Sequence, residues 1–280
     1  LIHTTNGGQQ WMPEKSGTDS NLDATAMGAH HLVSVGEEGI FSQSTENIFI
    51  LTHAVSAGWN LISVPVQSSD VALSTAYPTR ISQAFAYQGG YVPVNMLAPG
   101  DGYWLKFDAD QDVGHSGSPL SDLVVPVHQQ WNIIGSLSSP VAVASITSAP
   151  PDIIRSNYYG YDNGYQVAGT LEPGHAYWVR VSQDGQLHLF SSVNRTKSAG
   201  NGAGLPVSGL SEIILTDNCG RHQRLYLSCN RNHERDAGRF DLPPVPPPGA
   251  FDARFGTGRM LEYAGQTARD IPIQVSSAAY

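Results

Sequence analysis

Asp108, Asp110 and Asp112 stand two apart in Asp108-Ala109-Asp110-Gln111-Asp112-Val113-Gly114. Carboxylates at that spacing suit a hard cation such as calcium, whose ligands are oxygens. A helix-flanked calcium loop also needs Gly directly after its third acid and a bidentate Glu at its end; Val113 and Pro119 occupy those places. The competing reading is a solvated acidic turn. A second chemistry is stacking on sugar rings, which uses flat aromatic faces. Tyr158, Tyr159, Tyr161 and Tyr165, with Tyr177 and Trp178, supply such faces within one short stretch, read as a surface. The competing reading is core, because Trp178 has a counterpart at Trp104. His30 and His31 are adjacent, so on a strand they face opposite sides and do not chelate one metal together. Arg221, Arg224, Arg231, Arg235 and Arg239 gather around Glu234 and Asp236, which reads as a solvated mixed surface. No phosphate loop, zinc spacing or nucleophile elbow is present.

The elements that would position these groups come from a duplication. Trp59-Asn60-Leu61-Ile62 returns as Trp131-Asn132-Ile133-Ile134. Tyr87-Gln88-Gly89-Gly90-Tyr91 returns as Tyr161-Asp162-Asn163-Gly164-Tyr165. Pro99-Gly100-Asp101-Gly102-Tyr103-Trp104-Leu105-Lys106 returns as Pro173-Gly174-His175-Ala176-Tyr177-Trp178-Val179-Arg180. Blocks repeated in the same order mean tandem modules. Their residues are aromatic, aliphatic, Gly and Pro, the vocabulary of strands and tight turns. Leu61-Ile62-Ser63-Val64 and Tyr103-Trp104-Leu105-Lys106-Phe107 alternate as strands do. Short helices are expected within Ser74–Ala86 and Ala142–Ile154.

A chain of 280 residues has room for two or three cored domains. Charged residues are 14%, with 29 Gly and 18 Pro, the profile of a secreted or surface β protein. A net charge of −9 and the lack of any basic stripe argue against nucleic acid and anionic membranes as partners. No stretch is apolar and long enough to insert into a membrane. The chain starts without Met or a signal peptide and ends in Ile271-Pro272-Ile273-Gln274-Val275, so it is expected to be a portion of a longer protein.

The organisation expected is residues 1–55 as a first β unit, repeats at 56–128 and 129–192, a Gly/Ser-rich flexible linker at 193–209, and a C-terminal β domain at 210–280. In the last, Asp217-Asn218-Cys219-Gly220 reads as the tip of a hairpin. A following strand would carry Cys229 about 30 Å away at about 3.3 Å per residue. A disulfide needs Cα atoms within about 7 Å. Hairpin and bridge exclude each other, and the hairpin is favoured. Leu242-Pro243-Pro244-Val245-Pro246-Pro247-Pro248-Gly249 is a stiff extended connector, and Ala250–Phe255 resumes as a strand.

Thr4–Trp11 (Thr-Thr-Asn-Gly-Gly-Gln-Gln-Trp) resembles the Asp-box (BNR) repeat of sialidase-like and photosystem-assembly-type β-propellers, with Asn6 in the Asp place. The resemblance implies one blade at the end of a propeller. A blade cannot bury its faces alone. Residues 57–280, through the Gly-Trp-Asn-Leu-Ile-Ser modules and the Leu242–Phe255 segment, resemble the C-terminal regions of large type IX-secreted surface proteins of Gram-negative bacteria. That resemblance implies an extracellular or outer-membrane cell-surface location. Gly114-His115-Ser116-Gly117-Ser118-Pro119 resembles the nucleophile loop of glutamyl-endopeptidase-type serine proteases, with Ile50-Leu51-Thr52-His53-Ala54 similar to the histidine strand of that fold. A triad needs Ser116, His53 and a carboxylate in contact. The competing reading makes the Ser116 segment an ordinary strand of the first repeat.

The expected fold is all-β: a partial propeller blade, two homologous β modules and a C-terminal β-sandwich-like domain. The expected role is non-enzymatic, a structural or adhesive part of a bacterial surface protein, as a filament or assembly subunit. Partners would be other copies of the chain, other surface proteins, or polysaccharide. No cofactor is called for beyond a calcium ion at the Asp108 turn. The alternatives are a carbohydrate-binding region of a larger secreted hydrolase, using Tyr158, Tyr159, Tyr161 and Tyr165, and, more remotely, a serine protease using Ser116.

Overall fold

Trp59-Asn60 and Trp131-Asn132 open equivalent strands because the Asn of each block closes the turn before it. Asn60 Oδ1 accepts the Ser56 N–H at 3.0 Å, and Asn60 Nδ2 donates to the Ser56 and Gly58 carbonyls. Asn132 does the same with His128 and Gln130. The structure, a computed structural model, describes residues 2–3, 12–13, 22–27, 32–36, 41–44, 49–191, 210–230, 237–265 and 270–277. The fold is all-β, with helix limited to single turns among the described residues. The chain divides into two units, Leu1–Ile50 with Ser116–Ser118, and Leu51–His115 with Pro119–Tyr280.

In the first unit, β1 (Ile2–His3) pairs antiparallel with β2 (Met12–Pro13). β3 (Leu22–Met27), β4 (Leu32–Gly36) and β5 (Phe41–Ser44) form an antiparallel sheet in that order. The Asp-box residues Thr4–Trp11 lie outside the described residues, as does the whole of segment 193–209.

The second unit carries the duplication. The first repeat runs β6 (Phe49–Val55), β7 (Gly58–Ser63), β8 (Val66–Gln67), the helical turn α1 (Leu73–Ala76), β9 (Ala84–Tyr87), β10 (Tyr91–Val94), β11 (Gly102–Phe107) and β12 (Gln111–Pro119). The second runs β13 (Asp122–Val127), β14 (Gln130–Ile134), β15 (Val141–Ala142), a 3-10 turn (Val143–Ser145), β16 (Thr147–Ala149), β17 (Tyr158–Tyr161), β18 (Tyr165–Ala168), β19 (Thr170–Leu171), β20 (Tyr177–Val181) and β21 (Gly185–Phe190). The expected helices are thus only single turns; Pro and Ser punctuation leaves no longer periodic run. The main sheets have the same order, β10-β9-β11-β7 and β18-β17-β20-β14. Their registers match too: Trp104 faces Leu61 as Trp178 faces Ile133, and Lys106 faces Trp59 as Arg180 faces Trp131. Central strands β11 and β20 are buried on both faces, so they read as nearly continuous apolar runs.

The two repeats join face to face about a local pseudo-twofold. Ser63 N–H donates to the Gly174 carbonyl at 2.9 Å, and its counterpart Gly135 N–H donates to the Gly100 carbonyl at 2.8 Å. Each repeat's Trp-Asn strand therefore ends on the other's Pro-Gly turn. Rings are exchanged in the same way. Trp104 meets Tyr161 edge-on at 4.7 Å and 73°, and Trp178 meets Tyr87 at 4.9 Å and 71°. Both tryptophans are 0% exposed. Burying each is worth about 5 kcal/mol at ~25 cal/mol per Å², and an edge-on pair adds about 0.5–1.5 kcal/mol. The turns must be close: a Cβ on Gly102 would meet the Ala176 Cβ at 2.5 Å, and one on Gly174 would meet the His53 ring at 2.3 Å.

The C-terminal part contains β22 (Ser211–Thr216) and β23 (His222–Ser228), a hairpin around Asp217–Gly220 as expected. Asp217 Oδ1 accepts the Cys219 and Arg221 N–H groups, and Gly220 takes φ +81°. Cys219 and Cys229 are both free and exposed. A 3-10 turn (Ala237–Phe240) leads into the proline-rich segment, then β24 (Asp252–Phe255), β25 (Leu261–Tyr263) and β26 (Ile273–Ser276). β25 pairs parallel with β23, and β26 antiparallel with β24. Leu225, Leu242, Phe255 and Met260 share one buried cluster with Leu61, Trp104, Tyr165 and Trp178 of the repeats.

One position breaks the duplication at a cost. Gly58 has φ +95°, and its counterpart Gln130 has φ 83°. A left-handed side-chain-bearing residue costs about 1–2 kcal/mol. Gln130→Gly should raise stability by about 0.5–1 kcal/mol once the entropy of Gly is subtracted, and Gly58→Gln should lower it by at least as much. Thermal melts of both variants check this; a loss of stability in Gln130→Gly contradicts it.

Candidate functional site

The sequence reads Tyr158, Tyr159, Tyr161 and Tyr165 as a sugar-stacking surface; the structure places them in the interior. Tyr158 and Tyr159 are 0% exposed, Tyr165 is 1% exposed, and Tyr161 is half-buried. Tyr177 and Trp178 are buried as well. Tyr158 and Tyr177 pack in the second repeat's own core, while the chain's own C-terminal segment lies over Tyr159, Tyr161 and Tyr165. Proline has no N–H, and its extended runs leave carbonyls without backbone partners. The aromatic residues supply the missing donors. Tyr165 OH donates to the Pro244 carbonyl at 2.9 Å, Tyr91 OH to Val245 at 2.8 Å, and Trp59 Nε1 to Pro248 at 3.1 Å. Tyr159 OH donates to the Arg239 carbonyl at 3.0 Å. Tyr161 OH accepts the Phe251 N–H at 2.8 Å and lies 3.0 Å from its carbonyl. Burial raises the pKa of Tyr91, Tyr159, Tyr161 and Tyr165, so all remain protonated donors.

Ion pairs hold the ends of this strap. Arg180 Nη1 donates to Asp241 Oδ2 at 2.6 Å, and Arg259 Nε donates to Asp241 Oδ1 at 2.8 Å. Arg254 forms a two-pronged pair with Asp252, at 2.7 and 2.8 Å, and also donates to the Pro243 carbonyl at 3.0 Å. Arg180 also lies over the Trp131 ring, 5.6 Å from its centre. Beside it opens a cavity of ≈ 530 Å³ lined by Arg155, Arg180, Arg239, Gln130, Ile154 and Ser182.

Asp108, Asp110 and Asp112 are exposed. Asp110 serves the fold: its Oδ1 accepts the Ala57 N–H at 2.7 Å, as Asp184 Oδ1 accepts the Gln129 N–H at 2.7 Å in the second repeat. Among the described residues, no three His, Cys, Asp or Glu side chains gather so as to hold a metal ion.

Ser116 is exposed on β12, whereas His53 is buried on β6 and neither of its ring nitrogens has a hydrogen-bond partner. His53 instead stacks on His115 at 5.2 Å and 6°, and meets His175 edge-on at 5.6 Å. Tyr77 packs against both His53 and His115. Sequence reasoning missed this cluster, since its members come from separate blocks and His175 replaces Asp101 of the first repeat. Burial, followed by the charges of His115 and His175, lowers the His53 pKa from 6.5 to about 3. Burial lowers His115 to about 4 and also lowers His175, against the pull of Glu172 and Asp162.

No known protein family, curated protein or solved structure matches the chain.

The histidine cluster makes the fold sensitive to acid. Below pH 6.5 the unfolded chain binds protons that the folded histidines refuse, so stability is intact above 6.5 and falls as pH drops toward 4 and 3. Each histidine contributes about 1.4 kcal/mol per pH unit within its window. Urea unfolding across this range should show the loss, and His53→Phe should flatten it. An unchanged slope in His53→Phe would refute the assignment.

Proposed function

We propose that this chain is a non-enzymatic structural part of an extracellular bacterial surface protein, acting in adhesion or as an assembly subunit. Several of the groups that could do chemistry hold the chain to itself. The tyrosines bind the strap, Asp110 and Asp184 close turns, and His53 and His115 pack on one another. The observation that carries the reading is an open strand edge. β26 pairs only with β24 among the described residues, and all of Ile273, Gln274, Val275 and Ser276 are exposed. Val275 is 54% exposed on that edge. Unpaired N–H and C=O groups beside apolar side chains are a template for another chain.

Light scattering and negative-stain microscopy of the chain should show particles heavier than the 30.0 kDa chain. Val275→Lys, which places a charge on the edge, should reduce them. A monodisperse single-chain mass at every concentration would sink the reading.

A second reading, polysaccharide binding, is favoured by the arginine-lined cavity beside Arg180. Its chemistry suits acidic sugars, because guanidinium pairs with carboxylate and sulfate. Uronic-acid or sulfated polysaccharides should quench Trp131 fluorescence, neutral ones should not, and Arg155→Ala with Arg239→Ala should abolish the effect. No quenching across both classes ends this reading.

A further inference from the structure

We infer that the cavity beside Arg180 is an anion-operated clamp. A sulfate or carboxylate group seated there joins Arg155 of the second repeat to Arg239 of the C-terminal part, and so tightens the 3-10 turn onto the repeat. The inference rests on the second reading above and adds what binding does to the chain. The cavity has two walls from distant parts of the sequence: Gln130, Arg155 and Arg180 belong to the second repeat, Gly238 and Arg239 to the turn Ala237–Phe240. Among the described residues its lining holds three guanidinium groups and no carboxylate. Asp241, which pairs with Arg180, is shared with Arg259. Neither Arg155 nor Arg239 pairs with a carboxylate among the described residues. Guanidinium binds such anions through paired N–H groups. The turn is also set in place beforehand. The Arg239 carbonyl accepts the Asn157 N–H at 2.9 Å and the Tyr159 hydroxyl at 3.0 Å, and the Gly238 carbonyl accepts Arg180 Nη2 at 2.9 Å. A site ordered in advance loses less entropy on binding.

The duplication supplies an internal control. Ile81 N–H donates to the Lys106 carbonyl as Arg155 N–H donates to the Arg180 carbonyl, both at 2.8 Å, so Ile81 stands where Arg155 does. Trp104 matches Trp178 in register, which sets Asp108 in the place of Ser182. Arg80, in the place of Ile154, is turned to the Tyr77 carbonyl. Gly58 stands where Gln130 does, and both have positive φ. The first repeat therefore has an apolar residue, an acid and an unstrained glycine where the second has a cation, a hydroxyl and an amide on a left-handed backbone. Strain of that kind collects at ligand sites. Gln130 is strained and lines the cavity, and its amide adds a donor beside the arginines.

Hydrogen exchange of the whole chain gives the test, at constant ionic strength. The probes are inorganic sulfate and a sulfated uronic-acid disaccharide, with each Kd taken from calorimetric titration. The amides to follow are Asp241, bonded to the Gly238 carbonyl, and Leu242, bonded to the Gly258 carbonyl. If opening of the turn dissolves the site, a probe at about ten times its Kd slows their exchange about tenfold. Arg155→Ala and Arg239→Ala should each weaken binding about tenfold and cancel the slowing. Sulfate also stabilises proteins by exclusion from their surfaces, so slowing that persists in Arg155→Ala at the same probe concentration overturns the clamp. Gln130→Gly should weaken binding while raising the melting temperature of the free chain, opposite shifts that a merely structural residue does not give. Equal affinity for both probes supports the clamp with a free anion as ligand, and tighter binding of the disaccharide supports it with a sugar-borne one. Binding of neither probe overturns it. Arg155 is exposed and Arg239 half-buried, so neither truncation opens the core, and the unmodified chain carries the exchange test by itself. Binding that both variants lose, with Asp241 and Leu242 exchange unchanged, overturns the clamp and leaves the polysaccharide reading standing. Slowed exchange with the disaccharide, but no quenching by any polysaccharide, sinks that reading and supports the clamp.

Discussion

Ser63 bonded to Gly174, and Gly135 bonded to Gly100, tie each repeat's leading strand to the other's Pro-Gly turn. The exchange of Trp104 with Tyr161 and Trp178 with Tyr87 lies within the same junction. Remove it, and two tryptophans with no exposed surface lose their cover. The tyrosines whose hydroxyls hold the strap would lose their placement as well. The strap, the C-terminal sheets and the buried histidines therefore all depend on this one junction. His53 packs directly on the backbone of Gly174, a residue of the exchanged turn.

The C-terminal part then makes equal halves unequal. On the second repeat, Tyr165 N–H donates to Gln223 Oε1, and a Cβ at Gly164 would meet the His222 carbonyl at 2.3 Å. The equivalent edge of the first repeat, β10, carries Pro93 and an exposed Val92, and Gly90 has open space around it. Proline on an edge strand blunts pairing with other chains. One copy of the edge is covered and the other is blocked by composition. An outer strand with every residue exposed lies instead at β26.

Much of this architecture is legible in the sequence because turn chemistry repeats with the residues that perform it. The Trp-Asn, Tyr-Gly-Tyr and Pro-Gly-Tyr-Trp blocks mark strands and turns, and the Asp217–Gly220 tip marks its hairpin. What stays hidden has physical causes. β6 and β13 lead the two repeats yet share no residue pattern, since outer strands answer only to alternation. The tyrosines read as a surface because a strand covered by a distant segment looks no different from one facing water. Asp110 recurs as Asp184, and that recurrence was the available sign that it serves a turn. The histidine cluster gathers residues from β6, β12 and a turn of the other repeat, and no local spacing announces it.

The exchanged Pro-Gly turns also bear on how such a protein could change length. A single repeat has neither a partner turn to end its leading strand nor a partner ring to close over its tryptophan. Half of the pair is therefore not a smaller version of the whole. Insertion or deletion of one repeat would strand its neighbour, whereas a complete pair could be gained or lost with every such bond intact. Lineages carrying this junction should accordingly count their repeats in even numbers.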